Sequence, residues 1–255
     1  VLMETLPNVS LFGFGTAYLH HLTQKHQNKI LNTAIENGIT HFDTAPFYGS
    51  GVAERALSSI SNRNNITVAS KFGLYPRGGS DQRQLEAICR KLAGKILPSI
   101  NKEIIDFSIT VASKSLDGTR RRIKRDYLDY FFLHEPCNFL GAEEVLESWL
   151  KEQVKLGNIL NYGLAGNLNN INLKKSSFFN NLQTNYEYIK LKKNTLNKNL
   201  STTTFFSYHW LNELSPEEIK KKILFAKSAA NKGHSFNECY LFSTKNINRF
   251  SDYAL

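Results

Sequence analysis

ITHFDTAPFYG (39–49) is the stretch on which the fold turns. Its first part, Ile39 to Phe42, is a β-branched and aromatic run that reads as a strand. The run stops at Asp43, and Tyr48 follows in the next turn of chain. Two further phrases have the same build. ITVAS (66–70) ends at Lys71, and YFFL (130–133) ends at His134. In an α/β barrel, catalytic groups sit at the C-terminal ends of different strands, because the βα-loops form the open face there. An acid, a cation and an imidazole at three strand ends, with a tyrosine beside the first, point to one site.

On either side of this stretch, strands and helices alternate. LFGFG (11–15) reads as the first strand, and a helix over 24–37 follows with Ile30, Leu31, Ala34 and Ile35 on one face. Ala53, Ala56, Leu57 and Ile60 mark a second helix from about residue 51. Residues 74–106 read as a loop with a helical patch around Leu85, Ile88 and Leu92, and 108–124 as a basic helix. Val145, Leu146, Trp149, Leu150 and Val154 stripe a helix over 142–156. Further strands are expected at 159–165, 182–186, 203–207 and 239–242. Ser215-Pro216-Glu217-Glu218 is a capping box that opens a late helix carrying Ile219, Ile223, Ala226 and Ala230. Near-continuous apolar strands alternating with helices specify a parallel sheet covered on both faces. The expectation is one domain, 1–255: an α/β, parallel eight-stranded (β/α)8 TIM barrel. It has a weakened sixth helix at the Lys/Asn-rich 189–200 and a short C-terminal tail.

Composition narrows the function. At 255 residues the chain has the size of one such barrel, about 250 residues. The formal charge of +10 is spread along the chain, which argues for solvated helix faces and against a nucleic-acid surface. No apolar run approaches membrane-spanning length, and no signal peptide is visible. Cys89, Cys137 and Cys239 are widely spaced and read as reduced thiols of a cytoplasmic protein. Gly13-Phe14-Gly15 lacks the third glycine of a dinucleotide fingerprint, since Tyr18 stands there, and no P-loop occurs. His20, His21 and His26 cluster without a second ligand pair, so no metal site is expected.

The phrases DTAPFYG, SKFG and LHEP, at successive strand ends, resemble the aldo-keto reductase family. FGFGT at the start, Glu54 after the tyrosine loop, YGLAGN (162–167) and LQTNY (182–186) extend the resemblance over roughly residues 11–250. It implies a catalytic set of Asp43, Tyr48, Lys71 and His134. It further implies cofactor contacts from Gly15, Thr16, Asp43, Asn167, Gln183, Phe206 and Ser207, with Ser243, Thr244, Lys245 and Arg249 around the adenosine phosphate. Asn167 follows Ala165-Gly166 where the family has Ser-Asn. Phe206 stands where a tyrosine usually stacks on the nicotinamide, and Tyr208-His209 replaces the proline that usually follows. The cations favour NADPH over NADH, because a 2′-phosphate rewards fixed positive charge.

The residues support this chemistry independently. Reducing a carbonyl needs a hydride and a proton. Tyrosine, with a reference pKa near 10, is a protonated donor at neutral pH. Lys71 is expected to lower that pKa by stabilising the tyrosinate, with Asp43 holding the lysine charged. His134 can hydrogen-bond the carbonyl oxygen. No side chain supplies hydride, so a nicotinamide cofactor is implied. Singly, Asp43–Lys71 reads as a structural ion pair, Tyr48 as a rim aromatic and His134 as a capping histidine; requiring all of these together favours a site.

The expected function is an NADPH-dependent reductase of an aldehyde or ketone, sugars included. Its partner is a small molecule, not a nucleic acid or a membrane, and the sequence does not specify an oligomeric state. The alternative is a cofactor-binding regulatory or low-activity protein on the same barrel. A barrel hydrolase pairing Asp43 with Glu135 leaves Tyr48 and Lys71 unexplained.

Overall fold

The computed structural model describes residues 9–10, 12–63, 65–97, 99, 102–136, 143–167, 181–184, 204–206, 217–218, 221 and 238–253. The parallel sheet contains β1 (Phe12–Gly15), β2 (His41–Asp43), β3 (Thr67–Phe72), β6 (Leu128–His134), β7 (Ile159–Ala165), β8 (Leu182–Thr184), β9 (Thr204–Phe206) and β10 (Glu238–Phe242). Each pairs in parallel with its neighbours, and β10 returns to β1, so the sheet curls into a closed ring. The described flanking helices are α1 (Gln24–Glu36), α2 (Val52–Leu57), α3 (Gln84–Ile96), α4 (Ile109–Ile123) and α5 (Glu143–Lys155). This is a (β/α)8-like architecture. The weakened sixth helix expected at 189–200 lies outside the described residues. Of the late helix expected from Ser215 onward, only Glu217, Glu218 and Lys221 are described, all helical.

β3 and β6 are buried at every position, which explains why their sequences do not alternate between apolar and polar. Two apolar layers result. Outward-facing Phe14, Phe42, Val68, Phe131 and Leu133 pack with Ile30 and Leu31 of α1, Leu116 of α4 and Leu150 of α5. Ala69, Tyr130, Phe132, Ala165, Cys239 and Leu241 fill the ring interior. Burying each large aromatic or aliphatic side chain stabilises by about 1.5–3 kcal/mol. A 3-10 helix, Ile247–Tyr253, lays Phe250 against Phe14 and Phe242 with centroids 5.4 and 5.6 Å apart.

The stretch 74–106 is more structured than its sequence suggests. β4 (Leu74–Tyr75) and β5 (Ile104–Ile105) form a two-stranded antiparallel ribbon on either side of α3. The patch residues Leu85, Ile88 and Leu92 lie on α3 as expected, yet all three are exposed. Their helical spacing produced an apolar face that does not join the core. Among the described residues, no helix is long and apolar enough to cross a membrane.

Candidate active site

Register brings the three strand-end groups together. Asp43 is level with Ala69, Lys71 with Phe132, and His134 with Ala165. Side chains alternate faces along a strand, so residues two apart share a face. Ala69, Phe132 and Ala165 line the interior; Asp43, Lys71 and His134 therefore point inward at one end of the ring. Lys71 and His134 lie within their strands and not just past them. Tyr48 arrives from the loop after β2. Thr44 N donates to Ala69 O at 2.9 Å, Tyr48 N to Ala45 O at 3.0 Å and Ala53 N to Tyr48 O at 3.3 Å, which fixes the loop at both ends.

Lys71 Nζ is the centre of the site and is 1% exposed. It lies 2.6 and 2.7 Å from the Asp43 carboxylate oxygens, 2.9 Å from Thr44 O and 3.2 Å from the Tyr48 hydroxyl. The His134 ring meets the Tyr48 ring edge-on at 6.0 Å. Burial acts to lower the Lys71 pKa, but the charges of Asp43 and then Tyr48 leave it above the ordinary lysine value. Burial lifts the Asp43 carboxyl and Lys71 opposes it; both oxygens within hydrogen-bond reach of one Nζ identify a carboxylate–ammonium pair. His134 is held well below 6.5, by burial first and the Lys71 charge second, so the imidazole is neutral. Its Nδ1 has no hydrogen-bond partner among the described residues. For Tyr48 the expected lowering is reversed. Burial raises its pKa more than Lys71 pulls it down, so the resting phenol holds its proton firmly.

These groups open into a cavity of about 460 Å³ lined also by Gly15, Asn167, Gln183 and Ser243. Gln183 stabilises the Asp43 carboxylate through its side chain, and its Oε1 has no hydrogen-bond partner among the described residues. Ser243 Oγ donates to Gly15 O at 2.6 Å, an approach that a Cβ on Gly15 would block. Thr16, by contrast, is fully buried and spends its hydroxyl on Asp43 O at 3.0 Å. Thr244 is buried and bonds the backbone of Asn246. Lys245 is exposed, with Nζ 5.5 Å from the centroid of Tyr18 at the cavity wall, and Arg249 is exposed on the last 3-10 helix. In register, Phe206 is level with Thr184 and Tyr240, while Phe205 is level with Gln183 and Cys239. Ser207 and Cys137 lie outside the described residues.

Glu135 also lines the cavity. It adopts a left-handed φ of 50°, and its Oε2 accepts from Asn167 N at 3.0 Å. Gly166, at φ 128°, permits this approach, since a Cβ there would sit 2.5 Å from the Glu135 carboxyl carbon. The HEP phrase contained this residue, but its turned backbone left no trace in composition or spacing. Asp43 is committed to Lys71 and Glu135 to Asn167, an arrangement unlike the free carboxylate pair of a glycoside hydrolase. Of the three clustered histidines, His20 and His21 contact each other with tilted rings 3.9 Å apart, and His26 Nδ1 meets Thr23 Oγ1 at 3.0 Å.

A family model described as the Aldo/keto reductase family matches residues 11–202. The chain belongs to the aldo/keto reductase family. It is 26% identical over 166 residues to "Probable aldo-keto reductase 1" of Glycine max, a match covering 62% of this chain and 41% of that one. L-galactose dehydrogenase of Arabidopsis thaliana is 25% identical over 157 residues, 58% of this chain and 41% of the relative. The chain thus matches about two fifths of the length of these curated relatives. Among solved structures, the holo form of an aldo-keto reductase from Bacillus halodurans superposes with a TM-score of 0.63 at 17% identity. That match covers 95% of this chain and 85% of the other. At that identity the likeness establishes the fold alone.

Proposed function

We propose that this protein is an NADPH-dependent carbonyl reductase in which Tyr48 is the proton donor. The observation that carries the reading is the position of Lys71 Nζ, within hydrogen-bond reach of both Asp43 and the Tyr48 hydroxyl, at the wall of one cavity. A substrate carbonyl in that cavity is oriented by hydrogen bonds from Tyr48 and His134. Tyr48 gives its proton to the carbonyl oxygen as the oxygen gains charge, and Lys71 stabilises the phenolate left behind. Asp43 keeps Lys71 charged and aimed. The phenolate then regains a proton from solvent, so the carbonyl has taken up one hydride and one proton and leaves as an alcohol. In the oxidative direction the same tyrosine, deprotonated, serves as the base.

The residues fit a nicotinamide. Gln183 Oε1, at a cavity wall and without a hydrogen-bond partner among the described residues, suits a carboxamide NH2. Gln183, Asn167 and Ser243 would hold the ring end, and Lys245 and Arg249 the phosphate end. When bound, that cofactor supplies the hydride. The cation pair supports preference for NADPH.

NADPH consumption against a panel of aldehydes, ketones and aldoses tests the activity. Tyr48→Phe should lower kcat by about 10²–10⁴-fold, while NADPH still quenches tryptophan fluorescence. Wild-type turnover in that variant would remove the proton-donor assignment. NADPH should bind more tightly than NADH, and equal affinities would end the argument from Lys245 and Arg249.

A further inference from the structure

We propose that the substrate carries an oxyanion, a carboxylate or phosphate, away from its carbonyl, and that Arg77 and Arg90 bind it. This rests on the carbonyl-reductase reading and names its substrate class. A second cavity, of about 430 Å³, adjoins the catalytic one, and Ala17 and Tyr48 line both. Phe47 and Pro76 give it apolar walls, while Arg77 and Arg90 give it two cations. On this proposal a carbonyl at the Tyr48 hydroxyl extends past the tyrosine ring toward two guanidinium groups.

Neither guanidinium has a carboxylate partner among the described residues, although acids are close in sequence. Asp81 is committed to Arg121 and Arg122, at 3.0 and 3.1 Å. Glu86 accepts from Arg83 N at 3.0 Å. Arg77 is exposed and makes no hydrogen bond to a described residue, so its fork is available. Arg90 is half-buried and preorganised: its Nε donates to Gln82 Oε1 at 3.1 Å, and its Nη2 lies over Gly78. Gln82 is in turn anchored by Arg55 on its carbonyl and by its own bond to Gly79 O at 2.9 Å. Two like charges on one cavity wall repel, and a bound oxyanion reverses that cost through charge-assisted, bidentate bonds.

The position distinguishes this anion from a cofactor phosphate. Arg77 and Arg90 follow β3, whereas Gln183, Ser243, Lys245 and Arg249 belong to β8, β10 and the chain after it. In the ring order, β3 lies directly across from β9, between those strands.

The test compares NADPH-dependent reduction of matched pairs: succinic semialdehyde against butanal, and glyceraldehyde 3-phosphate against glyceraldehyde. In at least one pair the charged member should have a kcat/KM about tenfold or more higher, mainly through KM. The pair that responds distinguishes carboxylate from phosphate. Arg77→Gln with Arg90→Gln should reduce that charged-to-neutral ratio at least about tenfold, and the double lysine variant should restore part of it. High ionic strength should lower the ratio in the wild-type protein, a measurement that needs no variant. Equal kcat/KM within both pairs would overturn the proposal. So would a double glutamine variant that loses NADPH affinity, which would move the pair to the cofactor. If no carbonyl is reduced, the reductase reading fails separately. Calorimetry with succinate and inorganic phosphate then decides the anion site: binding by the wild type that the double variant loses upholds it, and no binding overturns it.

Discussion

Lys71 is the residue on which stability and proposed chemistry meet. Buried with Asp43, it cannot be removed without leaving a buried carboxylate short of its cation. Lys71→Met should therefore destabilise the protein by about 3–5 kcal/mol in urea unfolding, besides losing turnover. Adding Asp43→Leu should recover most of the stability, since an apolar pair can replace a buried ion pair, but none of the turnover. A double variant as unstable as the single would show that the pair is not what Lys71→Met disrupts. Residue identity at the strand ends was legible because two-face-buried strands stand out as apolar runs, and a charge at their end interrupts the pattern. The direction of the Tyr48 shift was not legible. Lys71 is visible in the sequence as a neighbour that lowers a phenol pKa; the burial that outweighs it is a property of the closed fold.

At the scale of elements, Glu54 on α2 joins three of them. Fully buried, it accepts from Ser70 Oγ of β3 at 2.9 Å and from Thr119 Oγ1 of α4 at 2.8 Å. It also pairs with Arg122 Nε of α4 at 2.5 Å. Because α2 begins just beyond the Tyr48 loop, this junction sets the loop's footing. Glu54→Gln should cost about 3–5 kcal/mol, by leaving the Arg122 guanidinium undercompensated, and should lower kcat as the tyrosine loop loosens. Urea unfolding and steady-state rates measure the two effects. The sequence offered Glu54 only as a family echo; its partners lie on elements far along the chain. α3 shows the complementary limit: the spacing of Leu85, Ile88 and Leu92 specifies a helix with one apolar face, but periodicity carries no information about what covers it. Arg77 and Arg90 were equally silent, because a loop and a helix must fold before they share a cavity.

For the whole molecule, acid sensitivity follows from the buried histidines. Burial, with the Lys71 charge second, lowers His41 to about 3, and His134 is also depressed. The unfolded chain protonates both near 6.5. Below that pH the unfolded state binds more protons than the folded state, so their contribution to stability is complete above 6.5 and falls away as the pH drops, for His41 down to about 3. Each contributes a slope of up to about 1.4 kcal/mol per pH unit. Urea midpoints at pH 7, 6 and 5 should fall steadily, and less steeply in His41→Asn; a flat profile would contradict the buried neutral histidines. Ring closure has a different consequence, in time. Gly15 and Ser243, which meet at the cavity wall, are separated by 228 positions in the chain. Contacts of such long range form late and slow folding. A chain still emerging from the ribosome therefore holds Asp43, Tyr48, Lys71 and His134 well before β10 arrives to complete the pocket. A ligand that bridges those two walls binds only the finished ring, and its binding reports that folding is complete.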